Sequence, residues 1–495
     1  MCGPWWISFA NSNPERKGRS GAAPIFEGPA DSNSRRESVL REFNGSKLVA
    51  IIGGGISGLS AAYYLSKAGI PAILFEKAPR LGGVIETQLV EGCLVEGGPD
   101  SFLSAKPAAL ELIRELGLES EVIGSNDHLR VTYIVRNGKL VPMPDGLMMM
   151  IPTKIWPMLT TSIVGWGTKI KMGLEFFRKP GPMAERSVGA MIRDHYGQET
   201  VDYLAEPLLA GVYGGDPEQL SAEAVLGQFV ELEKKYGSLT KGTLARRAAA
   251  PKTAAGGAGT LFRTMKGGLG TLTSAIEKAI EGKVETRHEA VTSVAKAEDG
   301  GYLINGWQAV SKVIVCTPAW QAAELLRGLS PTAADGLAAI GYNSSVTLGL
   351  IYNRTDIQHP LKGFGFLVPA KERKRMAACT WVGTKFSYRV PEDKVLLRCF
   401  VGGANSNGIS DAQLIEDVRA ELRDYMGVTA TPKATNLVRW NRAMAQYTVG
   451  HKGRIDAIVE ALKPFPGLHL AGNAYEGIGI PDCIRMGKTA AEKCR

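Results

Sequence analysis

The sequence predicts a mixed α/β protein with more than one domain, and three observations support this class. Its 495 residues exceed the size at which a single hydrophobic core usually stops growing, so two or three domains are expected. A strand, a glycine-rich turn and a helix follow residue 47, and another strand, turn and helix end the chain. Between them, a largely helical pattern from about Pro107 to Lys235 precedes a series of strand patterns.

The composition is that of an ordinary globular protein with a basic surface. Apolar residues make up 44% and charged residues 22% of the chain, and the formal net charge is +9. This charge favours an acidic partner, such as a phosphorylated cofactor, a carboxylated substrate or anionic lipid, but a solubilising surface explains it equally well. Because no basic stripe alternates with aromatic residues, nucleic acid is not an expected partner.

The first 46 residues and the cysteines bear on location. Residues 1–46 are rich in Ser, Gly, Pro and Asn without periodicity, which predicts a disordered leader. Seven scattered cysteines without a Cys-x-x-Cys pair favour a reducing interior, and no run of 18 apolar residues predicts a membrane-spanning helix. The expected location is the cytoplasm or a membrane surface. Organelle targeting stays open, although the acidic residues of the leader argue against a typical transit peptide.

The stretch KLVAIIGGGISGLS predicts a dinucleotide-binding turn. Gly53, Gly55 and Gly58 form GxGxxG between a strand over 48–52 and a helix over 56–68. Gly53 permits the tight turn, Gly55 lets a pyrophosphate approach the backbone, and Gly58 lets helix and strand pack closely. Glu76, at the end of a second strand over 72–75, is suited to bind ribose hydroxyls. This Rossmann-like start predicts NAD or FAD.

Two further segments favour FAD. EKAPRLGG at 76–83 with EGGPDSF at 96–102, and AGN…GIGIPDCI at 471–484, resemble the flavin-binding signature of the superfamily of monoamine oxidases, phytoene desaturases and protoporphyrinogen oxidases. The resemblance implies one discontinuous FAD domain. The predicted cofactor-binding residues are Gly53, Gly55, Ser57, Gly58, Glu76, Lys77, Arg80, Gly82, Gly83, Gly98, Pro99, Asp100, Ser101, Val291, Trp440, Gly472, Asn473, Gly479, Ile480 and Pro481.

Four segments outside that signature narrow the resemblance. LLAGVYGGDPEQLSAEA, FVELEKKYGSLTKG, HPLKGFGFLVP and QYTVGHKGRI resemble the oxygen-dependent, flavin-containing protoporphyrinogen oxidase family. The resemblance implies an FAD-binding domain (47–106, 262–321 and 441–495), a helical membrane-associating domain (107–222) and an antiparallel-sheet substrate-binding domain (223–261 and 322–440).

The reaction implied by this resemblance is oxidation of protoporphyrinogen IX to protoporphyrin IX in heme biosynthesis. Hydride passes to FAD in successive two-electron steps, and dioxygen reoxidises the flavin to give hydrogen peroxide. Coproporphyrinogen III is a second candidate substrate. An amine oxidase, a carotenoid desaturase and a non-catalytic binding protein on the same fold also stay open as interpretations, as does a homodimer. No side chain is predicted as a catalytic nucleophile or a metal ligand.

The same resemblance implies substrate contacts. It assigns Gly211, Val212 and Tyr213 to a wall beside the macrocycle and Leu361 and Val382 to apolar contacts. Plant mitochondrial members carry an arginine, which the family uses to meet a substrate propionate, just before the Tyr-Ile of the predicted strand TYIVRNGKL, where this chain has Thr132. Arg130, two residues earlier and on the same predicted strand face, is the substitute candidate, and a solvated surface arginine is the alternative interpretation.

Two features keep more than one interpretation. The Met- and Trp-rich stretch at 147–177 is either a helical core segment or an amphipathic surface on a bilayer, and the resemblance favours the second. His451 is interpreted as structural, and the remaining histidines, including His128 and His195, show no partner pattern.

Overall fold

The structure is a computed structural model that describes residues 47–181, 184–249, 260–298 and 300–495. The predicted leader at 1–46 lies outside the described residues. The strands are β1 Val49–Ile52, β2 Ala72–Phe75, β3 Thr87–Val90, β4 Cys93–Glu96, β5 Phe102–Leu103, β6 Val122–Gly124, β7 Thr132–Arg136, β8 Lys139–Pro142, β9 Leu147–Met148, β10 Ile151–Pro152, β11 Phe262–Met265, β12 Glu285–Arg287, β13 Val294–Lys296, β14 Tyr302–Ile304, β15 Gln308–Val310, β16 Lys312–Val315, β17 Tyr342–Asn353, β18 Gly365–Leu367, β19 Met376–Trp381, β20 Lys394–Gly402, β21 Ala434–Ala445 and β22 Leu468–Leu470.

The helices follow the same numbering along the chain. They are α1 Ile56–Lys67, α2 Ala108–Glu115, α3 Ile155–Thr160, α4 Trp166–Glu175, α5 Val188–Tyr196, α6 Gln198–Thr200, α7 Glu206–Tyr213, α8 Ala222–Tyr236, α9 Leu239–Ala249, α10 Gly270–Ile280, α11 Ala319–Leu326, α12 Pro331–Ala338, α13 Val382–Lys385, α14 Asp411–Met426, α15 His451–Leu462 and α16 Ile480–Glu492. A π-helical turn, Val201–Ala205, joins α6 to α7.

A five-stranded parallel sheet surrounds the strand that precedes the glycine turn. Its order is β12-β2-β1-β16-β22, and two of its strands, VAII and AILF, are buried along their whole length. Continuous apolar strands are typical of a parallel sheet that is covered on both faces. Helix α1 packs against α10 and α16, which come from distant parts of the chain. The predicted strands and helix of the glycine turn are confirmed, and α1 ends just before Gly69, whose φ is +69°.

The other large sheet has seven strands. Its order is β21-β17-β20-β19-β18-β7-β8, and neighbouring strands are antiparallel except for β18 and β7. One face packs against α14 through a core that includes Leu348, Leu397 and Leu422. This mainly antiparallel sheet agrees with the strand patterns predicted after Pro251.

Within the segment from Pro107 to Lys235, which is predicted to be largely helical, the structure has strands between 122 and 152, and the strand predicted at TYIVRNGKL is a hairpin of two strands. Strands β6 to β10 lie there, and β7 and β8 belong to the seven-stranded sheet. Asn137 and Gly138 both have positive φ, +50° and +71°, which suits the two central residues of a tight β-hairpin. An Asn-Gly pair between alternating apolar residues is a hairpin signal, and it outweighs the helical pattern around it.

Helices α3 to α9 pack around a separate core that contains Met191, Tyr196 and Phe229. Helix α5 begins as predicted, because the Ser187 side chain accepts a hydrogen bond from the Ala190 N–H. Residues 45–495 form one compact unit, and the three-domain boundaries stay a prediction. Among the described residues, no helix combines the length and apolar character needed to cross a bilayer.

Candidate active site

A cavity of about 2900 Å³ is lined by residues from both large sheets and from α7 and α16. The predicted cofactor-binding residues that line it are Gly53, Gly55, Ser57, Glu76, Lys77, Gly82, Gly83, Gly98, Pro99, Asp100, Ser101, Val291, Trp440, Gly472, Asn473, Gly479, Ile480 and Pro481. The predicted substrate-binding residues that line it are Arg130, Gly211, Val212 and Tyr213. The fold therefore brings residues from both ends of the chain to one space.

The glycine turn joins β1 to α1 with almost no room for side chains. Gly53 has a φ of +105°, and a Cβ there would lie 3.1 Å from the Cys316 carbonyl group. A Cβ on Gly58 would collide with the carbonyl oxygen of Gly53. Gly58 does not line the cavity, so its contribution is close packing of the helix on the turn, as its position in the fingerprint predicts. No side-chain cap occupies the N–H groups of the first turn of α1.

The double glycine at 82–83 closes over this turn. The Gly82 N–H donates to the Gly54 carbonyl at 2.8 Å, and Gly82 and Gly83 have φ values of +100° and +59°. A Cβ on Gly83 would lie 3.0 Å from Cα of Gly55. The Arg80 guanidinium donates to the carbonyl oxygens of Gly83 at 2.6 Å and of two neighbouring residues. Arg80 thus braces the loop from outside the cavity.

Glu76 lies at the carboxyl end of β2 and lines the cavity. Its two carboxylate oxygens accept hydrogen bonds from the Gly54 N–H at 2.7 Å and the Ala78 N–H at 2.8 Å. Each oxygen retains capacity for another hydrogen bond, which ribose hydroxyls can use. Its neighbour Lys77 also lines the cavity.

Asp100 belongs to a buried cluster of charges that sequence reasoning did not find in full. Its carboxylate lies 2.8 Å from the Lys385 ammonium and 3.7 Å from the Arg398 guanidinium, and both basic residues line the cavity. Burial alone would raise the pKa of Asp100, but these two cations hold the pKa well below its ordinary value. Two cations around one carboxylate leave one positive charge on the wall. Lys385 and Arg398 are almost 300 residues away in sequence, and no local pattern marks them.

Hydrogen bonds connect each of the two flavin-type segments to the stretch that contains Trp440 and Tyr447. The Trp440 indole N–H donates to the Gly97 carbonyl at 2.7 Å, and the Tyr447 hydroxyl donates to the Asn473 carbonyl at 2.9 Å. The Tyr447 ring stacks on His451, with ring centroids 4.0 Å apart. His451 is buried, and this burial lowers its pKa. The structural role predicted for His451 agrees with these contacts.

The C-terminal helix α16 points its N-terminus at the cavity. It begins after Gly479 with no side-chain cap, and Pro481 lies in its first turn as predicted. Asp482 in the same turn accepts from the Lys106 ammonium at 2.5 Å. The sequence alone did not identify Lys106.

Helix α7 carries the predicted substrate wall. The Tyr213 carbonyl accepts from the Gln446 side chain at 2.8 Å, and the Gly214 carbonyl accepts from Asn343 at 2.6 Å. Burial raises the pKa of Tyr213 to about 12, so its hydroxyl stays protonated near neutral pH. Val212 is 54% exposed and lines the cavity.

Leu361 and Val382 do not line the cavity, so their contact with substrate stays a prediction. Leu361 packs against the core between the seven-stranded sheet and α14, and its carbonyl accepts from Thr384 at 3.0 Å. Val382 is 7% exposed and packs with Cys93 and Val95 in a small separate core. An apolar side chain serves a core or a pocket wall equally well, so residue type could not separate the two.

His195 has two partners that no pattern in the sequence indicated. Its ring nitrogens lie 2.7 Å from Glu175 and 2.7 Å from Glu233, inside the core of the helical region and away from the cavity lining. The carboxylates come from α4 and α8, which are separated from His195 by 20 and 38 residues. That separation exceeds the helical spacing that a sequence search can detect.

Comparisons with known proteins agree with this arrangement. The family of flavin-containing amine oxidoreductases matches residues 56–495. Coproporphyrinogen III oxidase of Bacillus subtilis (strain 168) is 36% identical over 90% of this chain and 97% of its own length. Protoporphyrinogen oxidase 2 of Arabidopsis thaliana is 28% identical over 90% of this chain and 93% of its own.

Solved structures give the same picture of the fold. A protein from Exiguobacterium sp. 255-15 assigned as a protoporphyrinogen oxidase superposes with a TM-score of 0.79 at 31% identity, covering 90% of this chain and 98% of that one. A reduced UDP-galactopyranose mutase, with a TM-score of 0.66 at 17% identity over 90% of this chain and 94% of that one, shares the fold alone.

Fold and site together define a flavin-dependent oxidoreductase of mixed α/β architecture. The glycine cradle, the uncapped helix N-termini and Glu76 fit a dinucleotide, and the cofactor is FAD, as predicted. The chain belongs to the flavin-containing amine oxidoreductase family.

Proposed function

We propose that this protein oxidises a porphyrinogen to the corresponding porphyrin in heme biosynthesis. The observation that carries the proposal is the cavity of about 2900 Å³, which continues from the glycine turn to the seven-stranded sheet. Pockets for small ligands usually measure about 300–1,000 Å³, so this cavity has room for a dinucleotide and a second large molecule. The relatives that are 28–36% identical over 90% of the chain act, by name, on porphyrinogens.

Bound FAD supplies hydride acceptance from the macrocycle in each two-electron round, with dioxygen as final oxidant and hydrogen peroxide as product. The side chains position the reactants and exclude water. The cluster of Asp100, Lys385 and Arg398 contributes one positive charge to the wall, which attracts anionic groups. Tyr213 keeps its proton near neutral pH, so it offers an uncharged surface to the ring.

Protoporphyrinogen IX and coproporphyrinogen III are both candidate substrates. The resemblance of the four segments outside the flavin signature favours protoporphyrinogen IX. The relatives from Bacillus subtilis and Staphylococcus aureus, at 36% and 33% identity, are named coproporphyrinogen III oxidases and favour the tetracarboxylate.

The test is anaerobic mixing of the purified holoprotein with each porphyrinogen in turn. We expect the visible flavin band to bleach, and porphyrin fluorescence to appear after oxygen is admitted. A yellow protein whose flavin is bleached by neither substrate would rule out this function and leave only a flavoenzyme of unassigned substrate.

The proposal includes contact with a membrane surface. Helices α3 and α4 and the residues after them expose Ile155, Trp156, Trp166 and Phe177 at 80%, 74%, 66% and 76%. Lys169 lies against the Trp166 ring, with its ammonium 4.6 Å from the ring centroid. Exposed aromatic side chains beside basic ones suit an interfacial position, with rings in the acyl boundary and charges at the headgroups. This supports the helical membrane-associating part and a location in the cytoplasm or at a membrane surface.

Two further parts of the proposal rest on the resemblance: dioxygen as acceptor and assembly into a homodimer. Peroxide release per porphyrin formed tests the first, and the mass in solution tests the second.

A further inference from the structure

Eight basic residues line the cavity, and five of them form ion pairs with carboxylates of the chain itself. These pairs are Lys106 with Asp482, Arg373 with Glu206, Lys385 and Arg398 with Asp100, and Lys452 with Glu223. Among the described residues, Lys77, Arg130 and Arg442 have no carboxylate within 4.0 Å. Lys77 adjoins Glu76 at the dinucleotide end, and Lys385 and Arg398 share the carboxylate of Asp100 in the predicted flavin site. Arg130 and Arg442 are therefore the cations without an ion pair that remain for a substrate.

Arg442 lies in an irregular part of β21. Ser345 pairs with Trp440 and Asn343 pairs with Met444, so the single residue Ser344 of β17 faces three residues of β21. Such a bulge redirects a side chain out of the regular alternation of a strand, and bulges are frequent beside active sites. Arg442 has a φ of +48°, a left-handed conformation that is unfavourable for a residue with a Cβ.

Several contacts hold Arg442 in this conformation. Its guanidinium carbon lies 4.4 Å from the centroid of the Trp320 ring. Its backbone N–H donates to the Ser344 hydroxyl at 3.0 Å, and its carbonyl accepts from the Trp320 indole N–H at 3.4 Å. Stacking on the ring restricts the rotamers of the Arg442 side chain but leaves its in-plane N–H donors free. These donors can bind a carboxylate through two parallel hydrogen bonds.

Arg130 lies toward the other end of the same sheet. It precedes β7, which is five strand-to-strand steps from β21. At roughly 4.8 Å per step this corresponds to about 24 Å along a flat sheet. Both side chains line the one cavity. Asp145, the carboxylate that Arg130 influences from beyond 4.0 Å, is already paired with Lys154. Two separated guanidinium groups without an ion pair within 4.0 Å suit an anionic ligand that carries carboxylates on opposite sides.

We propose that Arg442, stacked on Trp320 by the bulge in β21, binds a substrate carboxylate opposite Arg130 and so favours a porphyrinogen with carboxylates on both sides of the ring. Among the two candidates this is coproporphyrinogen III, whose four carboxylates surround the ring, rather than protoporphyrinogen IX with two. Trp320 is a positioning residue that acts through Arg442. The inference rests on the proposed function.

The test compares the holoprotein with Arg442→Gln, Arg130→Gln, Trp320→Leu and Lys433→Gln. Lys433 is the matched control, because it is exposed, immediately precedes β21 and does not line the cavity. Each variant is assayed for KM and kcat with both porphyrinogens. Equilibrium binding of the two porphyrin products, followed by their fluorescence, gives a readout that does not depend on turnover.

We expect Arg442→Gln to raise KM for coproporphyrinogen III and the Kd for coproporphyrin III about tenfold, with kcat and FAD content unchanged. The change with the dicarboxylate is expected to be about threefold or less, and Lys433→Gln should match the parent. Trp320→Leu should give a smaller increase of KM that disappears in the Arg442→Gln background, because it acts through the same group.

The outcomes separate the two proposals. If the parent oxidises a porphyrinogen but Arg442→Gln and Lys433→Gln behave alike with both ligands, the carboxylate site is wrong while the proposed function stands. If no porphyrinogen bleaches the flavin and neither porphyrin binds the parent, the proposed function fails and this inference fails with it.

Discussion

At the scale of single residues, missing side chains shape the cofactor end of the cavity. The positive φ of Gly53 and the contact between Gly83 and Gly55 leave backbone on the cavity wall where a Cβ would otherwise stand. Gly58 lies behind the cavity wall, and any side chain there would collide with the Gly53 carbonyl. The turn therefore requires glycines, and a single substitution that adds a Cβ there should weaken cofactor binding.

We expect Gly58→Ala to lose most of its FAD, because the added methyl group would push α1 away from the turn that binds the pyrophosphate. The ratio of absorbance at the visible flavin band to that of the aromatic side chains measures the bound cofactor. The control is Gly453→Ala in α15, where a Cβ meets nothing within 4 Å and the helix should gain slightly. Full flavin content in Gly58→Ala would contradict the packing argument.

At the scale of elements, a buried ionic cluster ties together the helices of the region that begins at α3. Glu175 at the end of α4 accepts from His195 of α5 and from the Leu239 N–H of α9 at 2.6 Å, while Glu233 of α8 also pairs with Arg186. Burial alone would lower the pKa of His195, but its hydrogen bonds to both carboxylates raise the pKa overall. The pKa values of Glu175 and Glu233 are lowered, with burial opposed by His195 and their other donors.

This cluster predicts a two-sided pH dependence of folding stability. A raised histidine pKa contributes stability that is fully present below its ordinary value of 6.5 and lost as pH rises through the raised value. The two lowered carboxylate pKa values contribute stability that is present above their ordinary value of 4.5 and lost as pH falls through the lowered values. The melting temperature should therefore decline as pH rises through the raised pKa of His195 and as pH falls through the lowered pKa values of Glu175 and Glu233.

We expect His195→Gln to destabilise the fold by about 3–5 kcal/mol, because it leaves two buried carboxylates without their shared cation. The decline of the melting temperature at alkaline pH that His195 causes should disappear in the variant. His128→Gln is the control, since His128 is exposed and outside the cluster. Equal melting temperatures for His195→Gln and His128→Gln across pH would contradict a charged cluster.

The exposed apolar side chains on and just after α3 and α4 lead to a prediction about membrane binding. We expect Trp156→Gln combined with Phe177→Gln to reduce cosedimentation with vesicles that contain anionic lipid, because both side chains are largely exposed apolar surface. Trp307→Gln, at an exposed tryptophan elsewhere, should leave cosedimentation unchanged. Unchanged sedimentation of the double variant would remove this surface from the proposal while leaving the reaction intact.

At the scale of the whole molecule, the cavity wall is assembled from segments that are far apart in the sequence. Residues from Gly53 to Ser101 meet residues from Trp440 to Pro481 around one space. A ligand that contacts all of them stabilises the folded chain by mass action, since the unfolded chain cannot hold the segments together.

We expect removal of FAD to lower the melting temperature and its return to restore it. At a free concentration of about 100 times Kd, the gain is about 2.7 kcal/mol. Differential scanning fluorimetry with added FAD measures this shift, and NAD is the control ligand because it shares only the adenosine diphosphate part of FAD. An equal shift with NAD would contradict a site that selects FAD.

Interactions between residues close in sequence explain most of what the sequence predicted correctly. The GxGxxG turn with its strands and helix, Glu76 at the end of β2 and Ser187 as a helix cap are as predicted, because each depends on neighbours along the chain. The Asn137–Gly138 hairpin has an equally local signal, which lies inside the predicted strand TYIVRNGKL. The resemblance of segments to the flavin signature then led to FAD and the family.

Only the tertiary structure decided which remote residues meet. The cations around Asp100, the carboxylates around His195 and the indole beneath Arg442 come from elements that are distant in sequence. Leu361 and Val382 pack against cores, and the sequence could not show this, because an apolar residue type is equally suited to a core and to a pocket wall. By itself the sequence determined the cofactor turn, where steric and hydrogen-bonding limits act between adjacent residues. Burial and charge pairing depend on how whole sheets and helices pack, so they appear only once the chain is folded.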